Sequence, residues 1–160
     1  MSGLDPQLAA TLKAPERALP FLTTLFADLG TPHSEFDEDQ LILLGQAAAD
    51  LSATHLAGPL LAWASEQSPR LQGYAATLLL PIWRRHPPDP SLVQAALALE
   101  PSACQDPDAA YNLGLLLAEA LGSSERPKVD AALDRLMQAG LHPSMTRVLQ
   151  QQVSTARQRR

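Results

Sequence analysis

Residues 106–122 read "DPDAAYNLGLLLAEALG": an Asp-Pro pair, a run rich in Ala and Leu, and a closing Gly. Aspartate ahead of proline is a helix-opening device. The carboxylate accepts a hydrogen bond from an otherwise unpaired N–H of the first turn. The proline takes the first helical position, where its missing N–H costs nothing and its fixed φ already suits the helix. The pairing recurs at Asp5-Pro6, Ser68-Pro69 and Asp89-Pro90, each ahead of an apolar run with helical spacing. The 14 prolines therefore punctuate helices more than they break them. Gly30 before Thr31-Pro32, Gly122, and Gly140 before His142-Pro143 read as stops, and Asp37 with Gln40 reads as a capping box. The pattern predicts helices near 5–13, 16–29, 38–52, 55–67, 69–86, 90–99, 107–121, 127–139 and 143–157, with no strand. The stretch 30–37, "GTPHSEFD", is the expected irregular segment.

Composition agrees with an all-α chain. Hydrophobic residues make up 46% of the 160 positions but aromatic residues only 4%, so Ala and Leu must fill the interior. Small side chains suit closely packed helices better than a sandwich or barrel, and the length suits one domain. A net charge of −5 disfavours a protein that coats nucleic acid. Lysine is confined to Lys13 and Lys128, a bias that reads as genomic base composition. Cys104 is the single cysteine, so neither an internal disulfide nor a cysteine-based zinc site is expected. The start "MSGLDPQLAATLK" lacks the basic and apolar regions of a secretory signal, and the apolar run 75–83 is interrupted by Pro81. The expectation is a soluble, cytoplasmic protein with no membrane partner.

The opening stretch also belongs to a weak internal repeat. Its triplet Leu115-Leu116-Leu117 aligns with Leu78-Leu79-Leu80 and Ile42-Leu43-Leu44 at spacings of 37 and 36. The same offsets relate Leu56, Leu92 and Val129; Leu60, Ala96 and Leu133; and Trp63, Leu99 and Leu136. These columns predict three helix pairs, about 38–67, 69–99 and 107–139, within a single domain spanning 1–160. An N-terminal pair and loop (1–37) and a C-terminal capping helix with a basic tail (141–160) flank the repeats. A helix pair of this size buries its apolar face only by stacking on a neighbour. The predicted architecture is antiparallel helix pairs stacked as a short right-handed α-solenoid of about nine helices. An irregular helical bundle is the alternative.

Two segments resemble known repeats. "LLLPIWRRHPPDPSLVQAALAL" (78–99) resembles a HEAT repeat: a first helix carrying Pro81, a turn with Asp89, then a second helix with Val93 and Ala96 at packing positions. "LALEP" (97–101) is similar to the end of a tetratricopeptide repeat, and "AYNLG" (110–114) to its beginning. Together the resemblances cover roughly residues 38–140. They imply a binding scaffold that presents a concave helical surface to other proteins.

No catalytic constellation is evident. His33, His55, His86 and His142 are not spaced three or four residues from another His, Asp or Glu within an expected helix, and His33, His86 and His142 read as turn residues. There is no His-Glu-x-x-His, Gly-x-Ser-x-Gly or phosphate-binding Gly-rich loop. Cys104 reads as a buried or incidental thiol. Glu35, Asp37, Glu38 and Asp39 cluster where a helix begins, where negative charge suits the macrodipole. Trp83-Arg84-Arg85-His86 combines an aromatic residue with basic ones. It reads either as dipole compensation at a helix end or as an interface hot spot. Trp63, Tyr111 and Leu113 read as packing residues, Gly114 as a site of close helix approach, and "ARQRR" (156–160) as a solvated end.

The functional expectation is a non-catalytic scaffold or adaptor binding a protein or peptide in a groove lined by one helix from each pair. Trp83, Arg84, Arg85 and Asn112 are the candidate contacts; no metal, cofactor or catalytic residue is expected. Two alternatives stay open: an enzyme or enzyme subunit with a site assembled around His86 or Cys104, and a HEAT-like nucleic-acid module using Arg84, Arg85 and the tail. Self-association is a further option, because a short solenoid has exposed apolar ends.

Overall fold

The computed structural model describes residues 6–29, 31 and 37–158. In chain order these form α1 (Pro6–Lys13), α2 (Pro15–Leu29), α3 (Glu38–Asp50), a 3₁₀ turn (Thr54–Leu56), α4 (Ala57–Ala64), α5 (Pro69–Arg85) and α6 (Pro90–Leu97). There follow α7 (Glu100–Ala103), α8 (Pro107–Ala118), α9 (Arg126–Met137) and α10 (Pro143–Gln158), with no strand among the described residues. Asp5, Gly30, His33, Glu35 and most of the expected irregular segment 30–37 lie outside them.

The helix starts follow the predicted chemistry, with one exception. Asp106 accepts from the N–H groups of Asp108 and Ala109 at 2.9 and 3.3 Å, and Asp89 accepts from Leu92 N–H at 3.0 Å. Asp37 and Gln40 form the full capping box, at 2.9 and 2.8 Å. His142 performs the same service ahead of Pro143, its Nδ1 accepting from Ser144 N–H at 3.2 Å. Ser68 departs from the expectation. It is extended and precedes Pro69, but its hydroxyl makes no capping bond.

Several helices end two or three residues short of the sequence reading, and a short helix lies where a connection is expected. Helix α3 stops at Asp50 because Ser52 adopts φ 55°, allowing Ala53 N–H to reach Ala48 C=O at 2.9 Å. That is a left-handed helix end built without the usual glycine, so no residue type announces it. The short helix α7 occupies what reads as a connection, one turn opened by Glu100-Pro101.

Packing sorts most helices into two rows. In the first, α5 lies between α3 and α8, and α10 packs on the far side of α8. In the second, α4 packs on α6, α6 on α9 and α9 on α10. Helix α4 also touches α5, and α6 touches α8, which ties the rows together. Helices α1 and α2 pack on each other, with α1 against α3 and α2 against α5. The interior is mostly Leu and Ala, as the composition requires.

The columns at 36 and 37 residues behave unequally. Leu60, Ala96 and Leu133 are fully buried, and Leu99 and Leu136 are buried while Trp63 is half-buried and packs on Phe26. In the triplets, Leu78, Leu79, Leu116 and Leu117 are buried, but Ile42 and Leu43 are 39% and 62% exposed. Equal spacing thus yields equal burial in the column Leu60, Ala96 and Leu133, unequal burial in the other second-row columns, and an outward-facing apolar edge at the start of the first row.

Three glycines let the first row close up. A Cβ on Gly45 of α3 would lie 2.4 Å from the Leu78 carbonyl oxygen of α5. One on Gly73 would lie 3.0 Å from Ala109 Cα of α8, and one on Gly114 would lie 2.8 Å from Leu149 Cδ2 of α10. Gly45→Ala must push α3 off a backbone atom and should cost about 2 kcal/mol in urea denaturation. Gly122→Ala, where a Cβ meets nothing within 4 Å, should stay within about 0.5 kcal/mol of the parent.

The Asp89 cap also yields a pH dependence. Its carboxyl is held below the ordinary carboxylate range, first by the Ser91 hydroxyl and then by Leu92 N–H. A lowered folded-state value makes the cap stabilising above the unfolded-state titration, and that stabilisation is lost as pH falls through the folded one. Asp89→Ala should therefore be less stable than the parent at about pH 7 and equal to it near about pH 2, as read from denaturation midpoints.

Candidate functional site

Helices of the first row leave a groove of about 400 Å³ on their outer side. Helix α3 contributes Ile42 and Gln46, α8 contributes Tyr111 and Leu115, and α10 contributes Val148 and Gln152. The central helix α5 supplies Thr77, Leu80 and Pro81 and, at its C-terminal end, Arg84 and Arg85. The positions are set by helical periodicity: Ile42 and Gln46, Thr77 and Pro81, Tyr111 and Leu115, and Val148 and Gln152 are each one turn apart. The Thr77 hydroxyl donates within its own helix, to Gly73 C=O at 3.0 Å. Pro81 has no N–H to offer the Thr77 carbonyl one turn back.

Arg84 and Arg85 lace the row together. Arg84 Nε donates to Glu119 beyond the end of α8 at 3.4 Å, and Arg85 pairs with Asp50 at the end of α3. Both guanidinium groups remain about half exposed. Among the described residues no Asp or Glu lines the groove, so the formal charges in its lining are these two arginines, each paired with a carboxylate outside it.

The other two candidates lie elsewhere. Trp83 is only 2% exposed and is a core residue, not a surface contact. One residue from Arg84, it is turned about 100° around α5, and it faces Thr54, Ala57 and Leu92, away from the groove. Its indole N–H has no hydrogen-bond partner among the described residues. Asn112 sits half-buried at the seam of α5 and α8, its Nδ2 3.6 Å from the position of a Cβ on Gly73, and does not line the groove. Its neighbour Tyr111 does.

Sequence reasoning passed over Ile42, Leu80, Leu115 and Val148 as groove residues. A signal existed in the triplets. Consecutive helical residues point about 100° apart, so three apolar ones in a row cannot all face one core.

Two of the described histidines are engaged in structure. His55 Nε2 lies 3.0 Å from Leu12 C=O and His86 Nε2 3.2 Å from Ala49 C=O, each ring partly buried and donating to a carbonyl at a helix end. Both are packing and capping groups; His86 sits in the bend after α5, a turn position as expected, with its ring half-buried rather than on the surface. No group of three or more His, Cys, Asp or Glu among the described residues is arranged to hold a metal ion. Arg157, expected in a solvated end, lies in the last turn of α10 and is bound to Asp130 and Asp134 of α9 at 2.8 and 3.2 Å.

Comparison of the chain with protein families, with curated proteins and with solved structures finds no match. Helix α5, at 17 residues the longest described, is too short for a hydrophobic span, and no described helix is long and apolar enough to cross a membrane.

Cys104 sits beside the buried Glu100, which accepts from Arg135 Nε at 2.6 Å and from the thiol at 3.3 Å. Burial, and then the hydrogen bond and charge of Glu100, push the thiol up to about 11. Such a group stays protonated near neutrality and is a poor nucleophile. Alkylation by iodoacetamide, followed by intact mass, should be slow at about pH 7 and accelerate through about pH 10. Glu100→Gln should speed it at every pH below that, because the charge that raises the thiol is gone.

Proposed function

We propose that the chain is a short α-solenoid acting as a non-catalytic scaffold, and that it binds a segment of another protein in the groove across α3, α5, α8 and α10. The observation that carries this reading is the groove. Its floor is apolar, it is crossed by four helices, and Ile42 and Val148 stand 39% and 45% exposed within it. A contiguous apolar surface rimmed by polar groups is a recognised mark of an interaction site. The rim here is Gln46, Gln152, Arg84 and Arg85. A wall of successive helices is also how stacked helical pairs display a binding surface.

The reading is tested with a displayed library of random peptides of about twelve residues selected on the purified chain, with recovered peptides measured by fluorescence anisotropy. Ile42→Glu combined with Val148→Glu alters two exposed side chains and should keep the parent circular dichroism. It should weaken the recovered peptides at least about tenfold, since charge replaces apolar contact at the floor. Recovery of no peptide above background, or equal binding by the double variant, overturns the reading.

A further inference from the structure

The charge distribution along the groove narrows the chemistry of its occupant. The chain carries a net charge of −5, yet among the described residues the formally charged side chains that line the groove are the cations Arg84 and Arg85. Each guanidinium has five N–H donors and, among the described residues, makes one contact with its carboxylate, so donors remain on both for an incoming acceptor. The opposite end of the same face is acidic. Glu38 lies one turn before Ile42 on α3, and Asp108 one turn before Tyr111 on α8. Although Glu38 is exposed by surface area, neighbouring atoms desolvate its carboxyl, and this, followed by the charges of Asp108 and Asp39, raises it from its ordinary value. The nearby cation Arg70 opposes them with a smaller effect, so that the end is acidic on balance. In the helix direction the acidic and basic ends are separated by about 15 Å, roughly ten residues of helix rise.

Resting on the binding role given to the groove above, we infer that its occupant is a peptide segment of a protein partner that is apolar over the floor and acidic only at the end meeting Arg84 and Arg85. A uniformly acidic segment would be repelled at the Glu38 and Asp108 end. A nucleic acid would place phosphates along the whole length and leave Ile42, Leu80, Leu115 and Val148 without apolar partners.

The peptides selected on the parent chain test this directly. Those whose binding depends on Ile42 and Val148 should carry Asp or Glu clustered towards one terminus, and their affinity should fall with added salt. Arg84→Gln with Arg85→Gln should weaken them about tenfold, the loss expected of charge-assisted contacts worth about 1.4 kcal/mol. Because those arginines also pair with Glu119 and Asp50, folding of the variant is checked by its thermal midpoint, and a second measurement leaves the protein untouched. Replacing the peptide's carboxylates with Gln should weaken binding to the parent by the same factor and have little further effect on the arginine variant. Groove-dependent peptides without acidic enrichment, or with unchanged affinity for the arginine variant, overturn the inference while the scaffold reading stands. If no groove-dependent peptide is recovered, the scaffold reading falls and this inference with it. Arginine-dependent retention of a random DNA duplex at low salt, without any such peptide, would reassign the face to nucleic acid.

Discussion

The close approach of α3, α5, α8 and α10 is the constraint on which most of the molecule depends. Helix axes come this near only where one partner has almost no side chain, and the row supplies Gly45, Gly73 and Gly114 at three successive contacts. The contact at Gly45 is the most demanding, because it faces a backbone carbonyl that cannot rotate away. With few aromatic side chains available, an interior of Ala and Leu gains its dispersion energy by tight spacing rather than by large surfaces. The groove is a consequence. Four helices held side by side expose the channels between them, and residues such as Ile42 that find no further helix to cover them remain at its floor.

Polar groups secure the same row at the helix ends, where backbone groups lack internal partners. Arg85 reaches Asp50 beside the end of α3, His86 reaches the Ala49 carbonyl there, and Arg84 reaches Glu119 beyond α8. Arg135 to Glu100 spans the same separation in sequence, 35 residues, as the two arginine pairs of α5. Buried Gln72 donates to the carbonyl of Ala64, the last residue of α4, and to that of Gln67 just beyond it, at 3.0 and 3.2 Å. Among the described residues, His55 and His86 face carbonyls, His142 a hydroxyl and Cys104 a carboxylate. The two arginines of the groove serve both purposes, since their pairs leave them half exposed.

Helix positions were largely legible because the signals that place them are local. Asp-Pro at 89 and 106, the Asp37–Gln40 box and Gly140, which takes φ 79°, act within a few residues of themselves. The end of α3 was not legible, since Ser52 adopts a left-handed conformation that its residue type does not advertise. The candidate site was legible in half. Arg84 and Arg85 do line the groove, whereas Trp83, adjacent in sequence and equally suited in type to an interface, is turned into the core. Asn112 and Tyr111 show the same one-residue exchange on α8.

By itself, then, the order of residues determined an all-helical chain, where most of its helices begin, and which apolar columns could be buried together. Those properties follow from capping chemistry and helical periodicity, which need no knowledge of neighbours. Which face of each helix turns outward was decided only by the tertiary structure. A residue such as Ile42 or Trp83 is buried or exposed according to whether another helix covers it, and that depends on contacts between segments tens of residues apart.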